Sequence, residues 1–489
     1  MPIVAGIDVS TTSSTVELRD ADSGALLGSG RAPHAPTFPP VSEQAPSSWW
    51  SAVKAALAAA IADARTTAAD IRALSVGAQC HGLVMLDERG RVLRPAKLWN
   101  DTTSAAQAAR MVQALGTEEW VRAVGSVPPA AFTISKLAWI AEHEPRHLDA
   151  VSRVLLPHDY VTWRLTGNAV TDRSDASGTG YYAAHEGRWR PDLLERFVRE
   201  DLDWESLLPI VLGPDEAAGH VLPAVAEELG LRPGVLVAAG GGDQHVGAVG
   251  LGMRPGDVTF SIGTSGVVLV SSESPVLDPT GTIDGVADAM GGYLPLACTL
   301  NATKVTDWVA EMLGVGVELL GEMALDATQP QRPVFAAFLD GERTPNRPNA
   351  RGLLAGLSTS TSRDDLARAA FEGVLLGMCG GLDRLSAVGA RIDGAYVLTG
   401  GGARSVAYRQ ILADLLQREV VVRDALEATA RGAAIQAIAV LQQEKVSTVS
   451  ESLRPGTLAT AEPHQSRDAG LRSRYGDLAS WTGADLPAS

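Results

Sequence analysis

No stretch of the 489-residue chain is uncharged for long enough to cross a membrane. The opening "MPIVAGIDVS" has no basic segment ahead of an apolar one, so no secretory leader is expected. Cysteine is scarce: Cys80, Cys298 and Cys379 stand far apart with no C-x-x-C pairing, which excludes a disulfide scaffold and leads us to expect reduced thiols in a cytoplasmic protein. Basic residues are too few. There are 41 Lys and Arg against 57 Asp and Glu, a net charge of −16, so neither nucleic acid nor an anionic membrane is expected as a partner. Two phosphate-binding signatures are also missing, G-x-x-x-x-G-K-[ST] and G-x-G-x-x-G, so any nucleotide must be held by another architecture.

What is present is ordinary globular material, 45% hydrophobic and 20% charged. "IVAGIDVS" is an apolar, β-branched run, and "STVELRD" alternates as a strand does, so the two predict a hairpin. "SSWWSAVKAALAAAIADA" predicts a helix with Ser47 or Ser48 as N-cap. Strands and helices then alternate as far as "VLVAAGGGD", an α/β organisation. "VTFSIGTSGVVLV" repeats the shape of the opening hairpin, and a second alternation follows, with a long helix over "DDLARAAFEGVLLGMCGGLDRL". We read two related α/β halves, 1–247 and 248–445, with 446–489 as a C-terminal extension of unassigned role.

Four glycine- or hydroxyl-rich turns follow apolar strands: "DVSTTSS", "GGGD", "SIGTSG" and "TGGGARS". Glycine lets backbone N–H groups approach an anion, and hydroxyls add donors without bulk. Each turn alone could be a tight reversal only. Four at strand ends converge on one crevice and point to phosphate or nucleotide binding. Asp243, just past the three glycines, stands where a phosphate would arrive and could act as a general base. Asp8, at the first strand end, could hold a metal ion or order its waters, or could cap its own loop. His81 in "QCHG", with Asn100 and Asp101 in "LWND", sets an imidazole beside hydrogen-bonding groups, which suits a sugar or polyol. "HEPRH" matches the H-E-x-x-H zinc signature, but Pro145 removes a backbone donor and breaks the helix that signature needs.

Taken together, "GIDVSTTSS", "QCHG", "LWND", "GGGDQ", "SIGTSG", "GERTP" and "TGGGARS" resemble the motifs of the FGGY carbohydrate kinases, in order, from about Val4 to about Leu441. "SEQAPSSWW", "LLPHDY" and "SDASGTGYY" are similar to stretches of the members that phosphorylate D-xylulose. The resemblance implies an actin-like ATPase fold, two RNase H-like domains facing across a cleft that holds ATP and sugar. It implies Asp243 as catalytic base, with Cys80, His81 and Gln244 at the sugar. It implies Thr11, Thr12, Gly263 and Thr264 at the phosphates, Gly400, Gly401 and Gly402 at the adenosine, and Mg²⁺ near Asp8, through water or directly. The implied activity is transfer of the ATP γ-phosphoryl group to D-xylulose. Ribulose, fuculose, gluconate and glycerol stay open as acceptors, as does a non-catalytic actin-like sugar-binding module. A small sugar is the expected partner, and the resemblance allows a homodimer. The chain departs from the family pattern where Ser10 replaces a glycine, Thr15 a lysine, Cys80 a methionine and Gln244 an asparagine.

Overall fold

The structure is a computed structural model that describes residues 2–327, 331–464, 468 and 470–481. Its centre is two sheets of like topology. In the first, β1 (Ile3–Val9), β2 (Ser13–Asp20) and β3 (Leu26–Pro33) run antiparallel, β4 (Ile71–Ala78) lies parallel to β1, and β5 (Ala217–His220) and β6 (Leu236–Ala238) complete the order β5-β6-β4-β1-β2-β3. The second sheet uses β7 (Val258–Ile262), β8 (Gly266–Val270), β9 (Leu296–Thr299), β10 (Tyr396–Thr399), β11 (Val420–Arg423) and β12 (Thr457–Ala461) in the order β9-β8-β7-β10-β11-β12. In each sheet a hairpin strand pairs in parallel with the strand that follows it after a helical crossover, β1 with β4 and β7 with β10. Both predicted hairpins form, with Asp8 opposite Thr15 and Ile262 opposite Gly266.

Two sequence expectations change. The helix over "PSSWWSAVKAALAAAIAD" begins at Pro46, with Ala45 ahead of it and no side-chain cap, so Ser47 and Ser48 lie inside it. Proline suits that position because its fixed φ is already helical and the donor it lacks would go unused. The long helix, by contrast, starts as a capping box: Ser362 accepts from the Asp365 N–H, and Asp365 accepts from the Ser362 N–H. The second change concerns 446–489. Thr457–Ala461 closes the edge of the second sheet as β12, and Leu471 and Tyr475 of the helix Leu471–Ser480 are buried in that lobe's core. Its residues 465–467, 469 and 482–489 lie outside the described residues.

Alternation along β1 explains how the lobes are joined. Ile3, Ala5, Ile7 and Val9 face the core made with Trp49, Val53 and Ala56 of the Pro46–Asp63 helix. Val4 faces the opposite way, against Ala433, Ala434 and Ala437 of the helix Ala428–Gln442, which belongs to the second half of the chain. The helix Asp243–Gly250, which starts in the first half and runs across the boundary, completes the exchange: Ala248 within it and Leu251 just past its end pack with Leu269, Leu296, Val397 and Val421 of the second sheet. The two helices cross between the sheets almost backbone to backbone. A Cβ on Gly250 would lie 1.9 Å from the Ala428 carbonyl oxygen, and one on Gly432 1.9 Å from that of Val246. Gly6 is bound in the same way, 1.8 Å from the Ala430 oxygen. Small residues at these positions are therefore what lets the lobes share one spine.

Candidate active site

The strands deliver the glycine- and hydroxyl-rich loops to one cleft. A cavity of about 240 Å³ is lined by Asp8 from the end of β1, Asp243 and Gln244 from the first turn of their helix, Ser261 from β7, Thr399 and Gly400 from β10, and Glu427 and Thr429. A second, larger cavity of about 620 Å³ lies on the far side of the same turn, between Gly401, Gly402, Ser405 and Tyr408 and the helices Thr303–Leu313 and Val317–Asp326. The Gly400–Gly402 turn is thus a partition: Gly400 faces the first space and Gly401 and Gly402 the second. Gly400 has φ +82°, and a Cβ on Gly402 would meet Ile262 at 2.5 Å, so the turn and its packing both require glycine. Gly263 and Thr264, in the β7–β8 turn, are bonded by their carbonyls to Thr303 and Ala302, while the Thr264 side is exposed.

Asp243 is the first residue of its helix and half-buried at the floor of the cleft. One carboxylate oxygen accepts from the Gln244 N–H at 2.8 Å and from the Cys80 thiol at 3.4 Å. Burial pushes its carboxyl up to about 6, against these two hydrogen bonds. At pH 7 it is about nine-tenths ionised and its conjugate acid is weak enough to form, the condition a general base requires. A rate limited by this group loses about tenfold in kcat/KM for each pH unit below 6 and is level above 7, which a pH–rate profile between 5 and 8 measures.

Asp8 behaves differently. Its Oδ1 is buried without a hydrogen-bond partner, and burial, followed by the charges of Asp243 and Glu427, raises its carboxyl well above the usual range. That surplus of acceptors suits a cation. Among the described residues no group of three or more His, Cys, Asp or Glu side chains is gathered as a cage, so such an ion would keep most of its waters.

The first half of the chain supplies the other expected residues. His81 follows β4 with φ +65°, a conformation that costs a non-glycine residue of order 1–3 kcal/mol and gathers at functional sites. Burial pushes its imidazole down to about 3, so it is neutral, and its Nδ1 has no protein partner. The ring leans on Phe132, centroids 4.9 Å apart. Thr11 accepts from the Trp99 indole at 2.9 Å and donates to Gln79 at 3.1 Å, while the neighbouring Thr12 is exposed. Asn100 carries an unpartnered Oδ1.

Asp101 is a correction. It is fully buried, and its carboxylate is saturated by the Ser42 N–H at 2.9 Å, the Thr103 N–H at 3.1 Å, the Thr103 hydroxyl and the Lys97 ammonium at 3.2 Å. With no exposed surface, the side chain lies out of reach of a sugar in the cleft. Asp101→Ala is expected to cost about 3 kcal/mol in denaturant unfolding, since it strands part of the charge on buried Lys97. "HEPRH" holds no zinc pair: one helix ends at His143, Pro145 caps the next, and His143 Nδ1 lies 2.9 Å from the Trp139 carbonyl.

Sequence reasoning missed a buried cluster under the glycine turn. His158 lies between Asp175, at 2.9 Å from Nδ1, and Asp159, at 3.0 Å from Nε2, with Asp172 at 3.7 Å. Burial alone would lower this imidazole, but Asp159, Asp175 and Asp172 outweigh it and raise it to about 9. A cation here holds three acids in the interior behind Gly240, Gly241 and Gly242, where added Cβ atoms would meet His158, Ser174 and Cys80 at 3.1, 3.0 and 2.5 Å. The signal in the sequence is the density of acids in "HDY" and "TDRSD", which overlap the family-like stretches "LLPHDY" and "SDASGTGYY".

Comparison with known proteins gives the family. Residues 3–250 match the N-terminal domain of the FGGY family of carbohydrate kinases, and residues 258–441 match its C-terminal domain. A xylulose kinase of Streptomyces coelicolor is 44% identical over 450 residues, 92% of this chain and 90% of that one. One from Escherichia coli is 36% identical over 387 residues, 78% of each chain. The crystal structure of xylulose kinase from Bifidobacterium adolescentis superposes with a TM-score of 0.87 at 36% identity, covering 98% of this chain and 99% of that one.

Proposed function

This chain belongs to the FGGY family of carbohydrate kinases, and from that premise we propose that it phosphorylates D-xylulose, with Asp243 as the base. It is an ATP-dependent sugar kinase of the actin-like, two-domain fold. The terminal hydroxyl oxygen of the sugar bonds to the γ-phosphorus as the bond from that phosphorus to the bridging oxygen breaks. The hydroxyl proton passes to Asp243, and D-xylulose 5-phosphate and ADP leave. The observation that carries this reading is the position of Asp243: it is the carboxylate at which the wall bearing Cys80 and His81 meets the cavity lined by loops of both lobes.

Little covalent chemistry is asked of the protein, and placement and charge supply the rate. Neutral His81, whose Nδ1 is buried against Gly178, offers a hydrogen bond to a sugar hydroxyl through Nε2, and Asn100, whose Oδ1 is buried, through its amide nitrogen. Gln244, exposed beside Asp243, offers an amide to the same guest. Thr11, Thr12, Gly263 and Thr264 offer hydroxyl and N–H groups to the phosphates. The larger cavity behind Gly401 and Gly402 has the size and the mixed lining that an adenosine needs. Asp8, with Glu427 beside it, would hold Mg²⁺ largely through water, and there the ion would offset charge on the phosphate oxygens.

We place the lobes at 1–247 and 248–445, with Thr457–Ala461 and Leu471–Ser480 of the C-terminal extension built into the second. Three free cysteines suit the cytoplasm, where ATP is at hand. Light scattering distinguishes a monomer from the homodimer that the resemblance allows. The acceptor is tested by sugar-dependent ADP release over D-xylulose, D-ribulose, L-fuculose, gluconate and glycerol. The highest kcat/KM is expected with D-xylulose, and a higher value with any other acceptor displaces it.

A further inference from the structure

The strained backbone of His81 needs something to hold it, and the structure shows what does. Its carbonyl oxygen accepts from the Lys136 ammonium at 2.9 Å and from the Thr133 hydroxyl at 3.2 Å, both on the helix Thr133–His143. Its N–H donates to Asp175 Oδ1 at 3.4 Å, and the other oxygen of Asp175 is fixed by His158 at 2.9 Å. The ring has equally little freedom. Phe132 covers one side, and a Cβ added to Gly178 would come within 2.1 Å of His81 Cε1. Lys136 also donates to the carbonyl of Ala131, the residue before Phe132, so one ammonium ties the imidazole and its aromatic wall together.

Lys136 is an expensive choice for this place. It is fully buried, and no carboxylate lies within ion-pair distance of it among the described residues. Burial pushes its amine down to about 7, against the more distant attraction of Asp101 and Asp175. A methionine of similar length would fill the same volume without desolvating a charge. What methionine cannot supply is a donor to two loop carbonyls at once.

We propose that Lys136 and Asp175 are positioning residues for sugar recognition, gripping the two ends of the His81 backbone unit so that its imidazole is fixed in the cleft before the sugar arrives. The clamp rests on the reading of His81 as a sugar contact. It acts through backbone placement, so it should affect the acceptor and spare the nucleotide, whose cavity lies across the Gly400–Gly402 turn.

The test is Lys136→Met in the full chain, with KM for D-xylulose, KM for ATP, kcat and thermal midpoint all measured. We expect KM for D-xylulose to rise about 10–100-fold, with kcat lowered less than about threefold and KM for ATP within about twofold of wild type. Thr133→Val, which removes the second donor and keeps the shape, should raise KM for D-xylulose by about 2–5-fold and decides the matter if the lysine variant does not fold. An unchanged KM for D-xylulose in the folded lysine variant overturns the clamp. So does a rise shared equally by ATP and sugar with a lowered thermal midpoint, which marks a merely structural lysine. Wild-type protein that leaves D-xylulose untouched overturns the substrate assignment instead, and the clamp is then read against whichever polyol wild type accepts.

Discussion

Asp243→Ala is expected to lower turnover of D-xylulose by roughly 10²–10⁴-fold while leaving the fold and ATP binding in place. The side chain makes no structural contact that a smaller residue would leave badly unpaired: its partners are the Cys80 thiol, a weak donor, and the N–H of its own neighbour Gln244. Thr429 donates to the Asp243 backbone carbonyl, which alanine keeps. Single-turnover ADP release measures the loss, and near-normal release removes Asp243 from the chemistry. Asp243→Asn makes the same point with the opposite sign on stability. The fold raises this carboxyl to about 6, so holding it ionised costs stability at every pH above that value, and the cost is relieved as pH falls through 6. Asparagine removes the charge. At pH 8 the variant should therefore be inactive and about 1–3 kcal/mol more stable than wild type, a difference that vanishes near pH 4.

The second large effect is expected at the helix crossing. Gly432→Val sets a branched side chain where even a Cβ would lie 1.9 Å from the Val246 carbonyl oxygen. The obstacle is backbone, and that backbone is backed by the second sheet through Ala248 and Leu251, so it cannot step aside. The helices must part by more than an ångström or the lobes must tilt. We expect a loss of about 3 kcal/mol in denaturant unfolding, and a fall in kcat because Asp243, in the helix that is pushed, shifts against the loops of both lobes. Unfolding at wild-type denaturant concentration would show that the crossing has slack the distances do not reveal.

These two sites differ in how openly the amino-acid sequence announces them. Asp243 is legible because chemistry at a strand end leaves a local trace: an apolar run, glycines to clear the approach, then an acid. Parts of that trace mark Asp8, an acid after an apolar run, and the Gly400–Gly402 turn, glycines after one. It misleads at Asp101, since a polar residue after an apolar run can point to the cleft or to the interior, and Ser42 and Lys97, which claim it, lie 59 and four residues upstream. It is silent on His158 and Asp175, whose meeting depends on the packing of a helix against a turn 17 residues away. The two related halves are legible from the repeated hairpin. Their exchanged helices are not, because Gly6 and Gly432 each look like an ordinary break until a partner from the other half of the chain arrives. The edge strand β12 escapes for a plainer reason: five residues in which only Ala461 is buried carry almost no pattern.

That exchange bears on how the protein is made. The long strands of the first sheet have been synthesised once Ala238 leaves the ribosome, and the helix Pro46–Asp63 can already cover one side. The other side, with Val4 and Ala73, waits for a helix that begins roughly 190 residues later. At typical translation speeds of about 5–20 residues per second the nascent chain carries that bare surface for about 10–40 s. Production in a host short of holding chaperones should therefore yield aggregate even though the finished molecule is well packed.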